Sequence, residues 1–240
     1  MKFELKNRKD VSATRPPEAR MQTLQELGTR FGSDKAGHGF CAFYDELLAD
    51  RRNLVTKVLE IGVASGASLR MWREYFPAAA IHGVDLSPAS APAGGRIVIH
   101  EADQARRDSL NRVLARTGSG FDVIIDDGGH TMEQQQVSLG CLFPHLRQGG
   151  LYVVEDLHSS FADEIAVTRG AQGAYRYSTG IHDGGPTTYQ IVQFLAQAKR
   201  CDSLYLSAPE IDYLARNVAG ARIFDRDGDR KHMTCALLHR

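Results

Sequence analysis

The spacing of hydrophobic residues changes near residue 57 and divides the chain into two differently patterned parts. Before that point, apolar residues recur at helical spacing, which predicts one helix over residues 17–31 and a second over 42–50. The segment between them, FGSDKAGHGF (31–40), is rich in glycine and polar residues and predicts a loop. Residues 1–20 are mostly charged and polar, which indicates an N-terminal arm in front of the helices.

From residue 57 onward, short apolar runs alternate with helical patterns. Five runs predict strands: KVLEIGV, AIHGVDL, RIVIHEAD, FDVIIDD and LYVVEDL. Helices are predicted over residues 68–75, 108–116 and 132–146. Continuous apolar runs are typical of parallel strands buried on both faces, and their alternation with helices indicates the α/β class. The predicted fold is therefore a doubly wound, Rossmann-like, mostly parallel sheet with right-handed crossovers.

The last third of the chain is less regular. Residues 159–186 contain many Gly, Thr, Tyr and Asp and predict a lid insertion. A helix is expected over 187–199, and ARIFD and HMTCALLH predict two strands joined through an Asp-Gly turn, which favours an antiparallel hairpin. Because no linker divides the chain, residues 21–240 are predicted to form a single domain.

Composition excludes several classes of function. The 240 residues include 29 Lys and Arg against 29 Asp and Glu, so no global field favours nucleic acid or an anionic membrane. No apolar run approaches the roughly 20 residues needed to span a bilayer, and the N-terminus lacks the apolar stretch of a signal peptide. We therefore expect a cytoplasmic protein without nucleic-acid or membrane partners. The four cysteines are scattered, which argues against structural zinc and against a disulfide framework.

The loop after the first strand, LEIGVASGASLRMW, is the first candidate ligand site. A dinucleotide fingerprint registered on Gly62 would need glycine at 64 and 67, where Ala64 and Ala67 stand. Asp85, at the end of the second strand, can accept hydrogen bonds from ribose hydroxyls, and Glu60 can face a cationic amino group. A ligand with a ribose, a positive charge and no phosphate fits best, and S-adenosylmethionine is such a molecule. The alternative is that these acids are ordinary polar residues at strand ends.

Pairs of carboxylates, each followed by a histidine, mark the ends of the fourth and fifth strands in VIIDDGGH and LYVVEDLH. Neighbouring strands lie about 4.8 Å apart, so Asp127 and the pair Glu155-Asp156 are expected to converge at the sheet edge where ligands bind. Carboxylates this close need a compensating positive charge, and oxygen ligands select a hard cation such as Mg²⁺ or Mn²⁺. Asp126 is expected to cap the following segment instead.

These motifs carry a family resemblance. The pattern E-x-G-x-x-x-G, an acid after the second strand and HEADQ after the third resemble the class I S-adenosylmethionine-dependent methyltransferases. More narrowly, GSDK (32–35), LEIGV…GASLRMW, IDDGGH and GGLYVVEDL resemble the metal-dependent sugar O-methyltransferases of antibiotic biosynthesis, of the macrocin/mycinamicin and rhamnosyl-tetracenomycin type. The likeness covers about residues 24–160. Ala64 departs from it by replacing the usual middle glycine of the loop.

The resemblance implies a set of site residues and a reaction. The implied cofactor-binding residues are Glu60, Gly62, Ser65, Asp85, Asp103 and Gln104. The implied metal ligands are Asp127, Glu155 and Asp156, with His130 as general base, and GSDK is expected to help close the site over the methionine end of the cofactor. The implied reaction is methyl transfer from S-adenosylmethionine, assisted by Mg²⁺ or Mn²⁺, to a hydroxyl of a sugar or glycosylated natural product. Self-association into a homo-oligomer is also expected.

Other functions stay open on the sequence alone. The acceptor could be the amino group of an aminosugar, and the same sheet could serve an oxidoreductase-associated protein of the cephalosporin-hydroxylase type. A binding module without catalysis is a third alternative. Individual residues also have simpler explanations: His130 could satisfy a backbone carbonyl, His158 could support the site from behind, and His38 could be an ordinary histidine.

Overall fold

The computed structural model describes residues 21–88, 93–161, 184–197, 199–226, 228, 230 and 232–240. The predicted N-terminal arm (1–20) and residues 162–183 of the predicted lid therefore lie outside the described residues.

The centre of the molecule is a seven-stranded sheet with the order β3-β2-β1-β4-β5-β7-β6. The strands are β1 (Lys57–Ile61), β2 (Ala80–Asp85), β3 (Ile97–Glu101), β4 (Phe121–Asp126), β5 (Leu146–Val154), β6 (Val218–Phe224) and β7 (Thr234–His239). Strands β1 to β5 pair in parallel, whereas β7 pairs antiparallel with both β5 and β6. The predicted mostly parallel sheet with an antiparallel C-terminal hairpin is confirmed.

The register of the three central strands aligns their carboxyl ends. Asp126 at the end of β4 pairs with Ile61 of β1 on one side and with Val154 of β5 on the other. The residues that follow these three therefore leave the sheet side by side, which brings the glycine loop and both carboxylate pairs to one edge. This is the edge where open α/β sheets bind ligands.

Eight α-helices are described around the sheet: α1 (Leu24–Phe31), α2 (Asp34–His38), α3 (Phe40–Leu48), α4 (Ala67–Tyr75), α5 (Arg107–Thr117), α6 (Met132–Leu142), α7 (Thr188–Ala196) and α8 (Ala208–Asn217). They form two apolar layers, one on each face. Leu24, Tyr44 and Trp72 from α1, α3 and α4 are fully buried in one layer. Leu110, Leu139 and Ile191 from α5, α6 and α7 are fully buried in the other. Among the described helices, none combines the length and the apolar character needed to cross a bilayer.

Several elements differ from the sequence prediction. Helix α2 forms inside FGSDKAGHGF, which was expected to be a loop; the turn begins after Ser33 and stops at Gly39, whose φ is +81°. Helix α8 was not predicted, although Ser207 and Glu210 form a capping box at its start, a recognisable helix signal. Strand β5 begins five residues earlier than LYVVEDL, and α6 ends at Leu142 because a 3₁₀ turn and then β5 take over residues assigned to the helix.

Candidate active site

The glycine loop between β1 and α4 packs directly against the segment that follows β4. Gly62 has a φ of +86°, and a Cβ at this position would lie 1.9 Å from the carbonyl oxygen of Asp127. Only glycine allows the two loops to approach so closely. Their contact forms one wall of a cavity of about 690 Å³, within the size range of small-molecule sites.

Asp85, the last residue of β2, organises one end of this cavity. Its Oδ2 accepts hydrogen bonds from the backbone N–H groups of Val63 (2.8 Å) and Ala64 (3.1 Å), and its Oδ1 accepts one from Ser87 (2.9 Å). Burial opposes ionisation here, but these backbone donors prevail and lower the pKa of Asp85, so the carboxylate is charged at neutral pH. The residue thus orders the glycine loop in addition to facing the cavity.

Asp103 and Gln104 also line the cavity, together with Gly62 and Ser65, and their roles as cofactor-binding residues stay predictions. Gln104 connects two segments: its Nε2 donates to Asp126 Oδ1 (3.0 Å), and its Oε1 accepts from the N–H of Gly129 (2.8 Å). Asp103 Oδ1 accepts a hydrogen bond from the N–H of Ala105 at 2.9 Å. The third strand therefore supplies one polar side chain toward the ligand and one that holds the loop after β4.

Asp126 was expected to cap the following segment; it accepts a hydrogen bond from the backbone of Gly128 in that segment, whereas the N-cap of α6 is Thr131. Asp126 is fully buried and accepts hydrogen bonds from Ser138 Oγ, Gln104 Nε2 and Tyr152 Oη. Burial raises the pKa of Asp126 to about 6, against the effect of these donors. Its contacts tie α6 and β5 to the end of β4, which fixes the neighbouring Asp127.

Three side chains converge at the other end of the cavity. Asp127, His130 and Asp156 each offer a ligand atom, and these atoms lie within 4.8 Å of one another. Two oxygen donors and one imidazole nitrogen are a chemically suitable set for a divalent cation. Burial, followed by repulsion from Asp127, raises the pKa of Asp156 to about 7, although the charge of Lys35 acts in the opposite direction.

Backbone strain is concentrated at the same cavity. Of the four non-glycine residues with positive φ that the structure describes, Ala64 (+44°), His130 (+59°) and Asp156 (+51°) all line it. Such conformations cost about 1–3 kcal/mol each and persist only where the surrounding structure enforces them. The strain turns the side chains of His130 and Asp156 toward Asp127.

Glu155 and Glu60 are not among the described residues that line the cavity. Both Glu155 and Asp156 follow the end of β5, and the left-handed backbone of Asp156 (φ +51°) directs its side chain into the cavity, whereas that of Glu155 is buried behind it. The buried carboxylate of Glu155 contacts Lys35 and accepts a hydrogen bond from Tyr44 Oη, and that of Glu60 accepts from Ser68 Oγ (2.6 Å) and Trp72 Nε1 (3.2 Å). Metal binding by Glu155 and cofactor binding by Glu60 stay predictions, and the contacts of these two side chains do not favour them.

Lys35, from the GSDK segment, was not expected at this position. Gly32 and Asp34 line the cavity, whereas Lys35 is 1% exposed and reaches inward to the carboxylates. Its Nζ lies 2.5 Å from Asp127 Oδ2, 2.9 Å from Glu155 Oε1 and 3.4 Å from Glu60 Oε1. Burial alone would lower the pKa of Lys35, but the three surrounding carboxylates raise it well above its usual value, so the ammonium is charged.

Histidines surround Asp156 on the remaining sides. His130 Nε2 lies 3.7 Å from Asp156 Oδ2, and His158 Nδ1 and His232 Nδ1 lie 4.0 and 3.5 Å from Asp156 Oδ1. His38, expected to be an ordinary histidine, lines the cavity and stacks on His232 with ring centroids 4.0 Å apart. Burial is the main cause that lowers the pKa of His130, which favours the neutral form of this imidazole.

Comparison with known proteins agrees with this geometry. Residues 59–157 match the family model described as a methyltransferase domain. The chain is 34% identical to L-olivosyl-oleandolide 3-O-methyltransferase of Streptomyces antibioticus over 210 residues, which are 84% of this chain and 52% of that protein. It is 40% identical to mycinamicin VI 2''-O-methyltransferase of Micromonospora griseorubida over 152 residues, which are 60% of this chain and 38% of that protein.

A solved structure extends the similarity to the fold. The MycE methyltransferase of the mycinamycin biosynthetic pathway, in complex with Mg, SAH and mycinamycin VI, superposes with a TM-score of 0.69 at 30% identity. The alignment covers 92% of this chain and 56% of MycE. The resemblance to sugar O-methyltransferases is therefore confirmed, and the chain spans about half the length, or less, of the relatives it matches.

Proposed function

Since residues 59–157 of this chain are a methyltransferase domain, we propose that the chain transfers a methyl group from S-adenosylmethionine to a hydroxyl of a sugar or glycosylated natural product. One observation carries this proposal: a single cavity holds Asp85 at one end and the cluster of Asp127, His130 and Asp156 at the other. The first end suits the ribose of the donor, and the second suits a divalent ion beside the acceptor.

The cofactor half consists of the loop after β1 and the ends of β2 and β3. Asp85 accepts the ribose hydroxyls, while Asp103 and Gln104 flank the adenine. Gly62 and Ser65 keep the first loop open toward the methionine end. No covalent step is required of the protein, because the sulfonium is already activated, so holding donor and acceptor in line supplies much of the rate.

The acceptor half consists of the segments after β4 and β5. Asp127 and Asp156 hold a divalent ion, Mg²⁺ or Mn²⁺, which orients vicinal hydroxyls and lowers the pKa of one of them when it is bound. His130 accepts the hydroxyl proton as the methyl group moves, and its neutral imidazole is prepared for that role. Glu155 is a further candidate ligand, and like Asp127 it contacts the ammonium of Lys35.

A hydroxyl acceptor is favoured over an amine by what the named relatives methylate. Those compared above are O-methyltransferases whose names specify glycosylated natural products. The cytoplasmic location, the absence of nucleic-acid partners and the homo-oligomeric state remain predictions from the sequence.

The test is a methylation assay on purified protein. The protein is incubated with S-adenosylmethionine and a panel of glycosides that carry deoxysugars or aminosugars, and products are detected by the mass gain of one methylene group. We expect a methyl ether on a deoxysugar, loss of activity with EDTA and recovery with MgCl₂. Retained activity in EDTA, or methylation of the aminosugars alone, would contradict the metal-assisted O-methyl transfer.

Two variants test whether Asp127 belongs to the site of methyl transfer. Asp127→Asn removes one charge from the cluster without a change in size, and turnover should fall at least about a hundredfold because the metal contributes several kcal/mol to such reactions. Asp202→Asn makes the same exchange at an exposed carboxylate and should leave turnover unchanged. Equal rates for both variants would show that Asp127 is not part of the site.

A further inference from the structure

Lys35 connects the carboxyl ends of three neighbouring strands. Glu60 lies in β1, Asp127 directly follows β4 and Glu155 directly follows β5, and these strands are adjacent in the sheet. The Lys35 Nζ lies within 3.4 Å of a carboxylate oxygen of each. The contacts join α2 to residues 25 to 120 positions later in the chain, so they are long-range features of the folded state.

The surroundings of this ammonium are closed to solvent. Lys35, Glu60 and Glu155 are each at most 1% exposed, and Tyr44 Oη donates to the carboxylate of Glu155 from the other side. Buried carboxylates without a compensating charge are strongly unfavourable, and removing one partner of a buried ion pair is far more costly than removing both. The three acids therefore depend on Lys35 when no other cation is present.

The position of Lys35 also separates the acids into two groups. Both oxygens of Glu155 lie within 3.0 Å of its Nζ, whereas Asp127 is shared between Lys35 and the cluster with His130 and Asp156. The ammonium therefore lies among Glu60, Asp127 and Glu155. Without it, these three acids would need a cation of their own, in addition to one bound by Asp127, His130 and Asp156.

We propose that Lys35 is a positioning residue whose ammonium acts as a built-in counter-ion and holds the strand-end carboxylates in place before any divalent ion binds. The fold is then independent of the metal, and Asp127 is pre-oriented toward the cluster. The part of this inference that concerns metal binding rests on the proposed function; the part that concerns the metal-free fold does not.

The first test compares thermal unfolding midpoints in EDTA. Lys35→Met keeps an apolar chain of similar length but removes the charge, and the midpoint should fall by about 10 °C, the loss expected for one broken buried ion pair in a chain of this size. Lys199→Met, at an exposed lysine, is the matched control and should leave the midpoint unchanged. A wild-type midpoint for Lys35→Met would overturn the proposal.

A second variant separates a counter-ion from a packing residue. Lys35→Met combined with Glu155→Gln removes one negative charge as well, so it should recover several degrees of the loss, or restore folding if the single variant does not fold. A further drop in the midpoint, or no recovery of folding, would show that the ammonium is not needed for charge and would overturn the proposal.

The third test uses MgCl₂ alone, without donor or acceptor. Added magnesium should raise the midpoint of Lys35→Met by more degrees than that of the wild type, because the ion then supplies the missing positive charge. An equal rise in both proteins would contradict the idea that Lys35 substitutes for a cation. If the wild type takes up no metal at all, the proposed function fails, while recovery by Glu155→Gln still supports the counter-ion.

Discussion

Replacing Gly62 by alanine tests how the two loops of the site are held together. The substitution places a Cβ 1.9 Å from the carbonyl oxygen of Asp127, 2.6 Å from its carbonyl carbon and 3.0 Å from Cα of Gly128. All three are backbone atoms, so no side-chain rotation can relieve the contact. To reach an ordinary separation of 3.4 Å, one loop must move by more than 1 Å away from the other.

The cost has two parts. Alanine in the left-handed region loses about 1–2 kcal/mol, and overpacking against a rigid neighbour adds about 1–3 kcal/mol. We therefore expect Gly62→Ala to reduce the free energy of unfolding by about 4 kcal/mol, a large part of the roughly 5–15 kcal/mol available to a typical domain.

Gly120→Ala is the matched control. Gly120 has the same φ of +86°, but a Cβ there would meet nothing within 4 Å. It should cost only the conformational part, about 1–2 kcal/mol. Denaturant unfolding of both variants, analysed with equal m-values, measures the difference. A difference below about 0.5 kcal/mol, the usual scatter of surface substitutions, would refute the role assigned to the loop contact.

Three further predictions concern the chemistry of the site. His130→Gln should lower kcat at least about a hundredfold, as expected for loss of a general base, and calorimetry should find unchanged affinity for S-adenosylmethionine. If calorimetry instead shows that the variant no longer binds the metal, His130 is a ligand. Asp85→Ala should weaken S-adenosylhomocysteine binding about tenfold or more, because both the ribose contact and the acceptor for the N–H groups of Val63 and Ala64 are lost. Turnover at saturating donor should change little. Magnesium affinity should rise about tenfold per pH unit up to pH 7 and then level off. The reason is that the pKa of Asp156 is raised to about 7 and the ion binds only the deprotonated carboxylate. An affinity that is the same at pH 6 and pH 8 would contradict this prediction.

The convergence of strand ends was predictable from the sequence because the α/β pattern fixes topology. Alternating strands and helices place the ends of β1, β4 and β5 side by side, and Asp127, His130 and Asp156 meet there. Glu155 and Asp156 were grouped by their adjacency in sequence, but both lie beyond the end of β5, where the strand period no longer applies. The left-handed backbone of Asp156, which the sequence does not reveal, gives the two side chains different surroundings.

Lys35 illustrates what the sequence could not supply. It lies in a short segment without hydrophobic periodicity, and its partners are 25 to 120 residues away in the chain. Only the packing of α2 between α1 and α3 brings the ammonium to the strand ends. One signal was available: three acids at neighbouring strand ends required some positive charge, and a resident lysine is as good a source as a metal ion.

A calorimetric titration of metal-free protein with MgCl₂ in the presence of S-adenosylhomocysteine tests the metal centre most directly. We expect one ion to bind per chain, and we expect Asp127→Asn to abolish this binding while the cofactor product still binds. Absence of magnesium uptake by the wild type, or full uptake by Asp127→Asn, would contradict the assignment of the cluster after β4 and β5 as the centre of a metal-assisted methyltransferase.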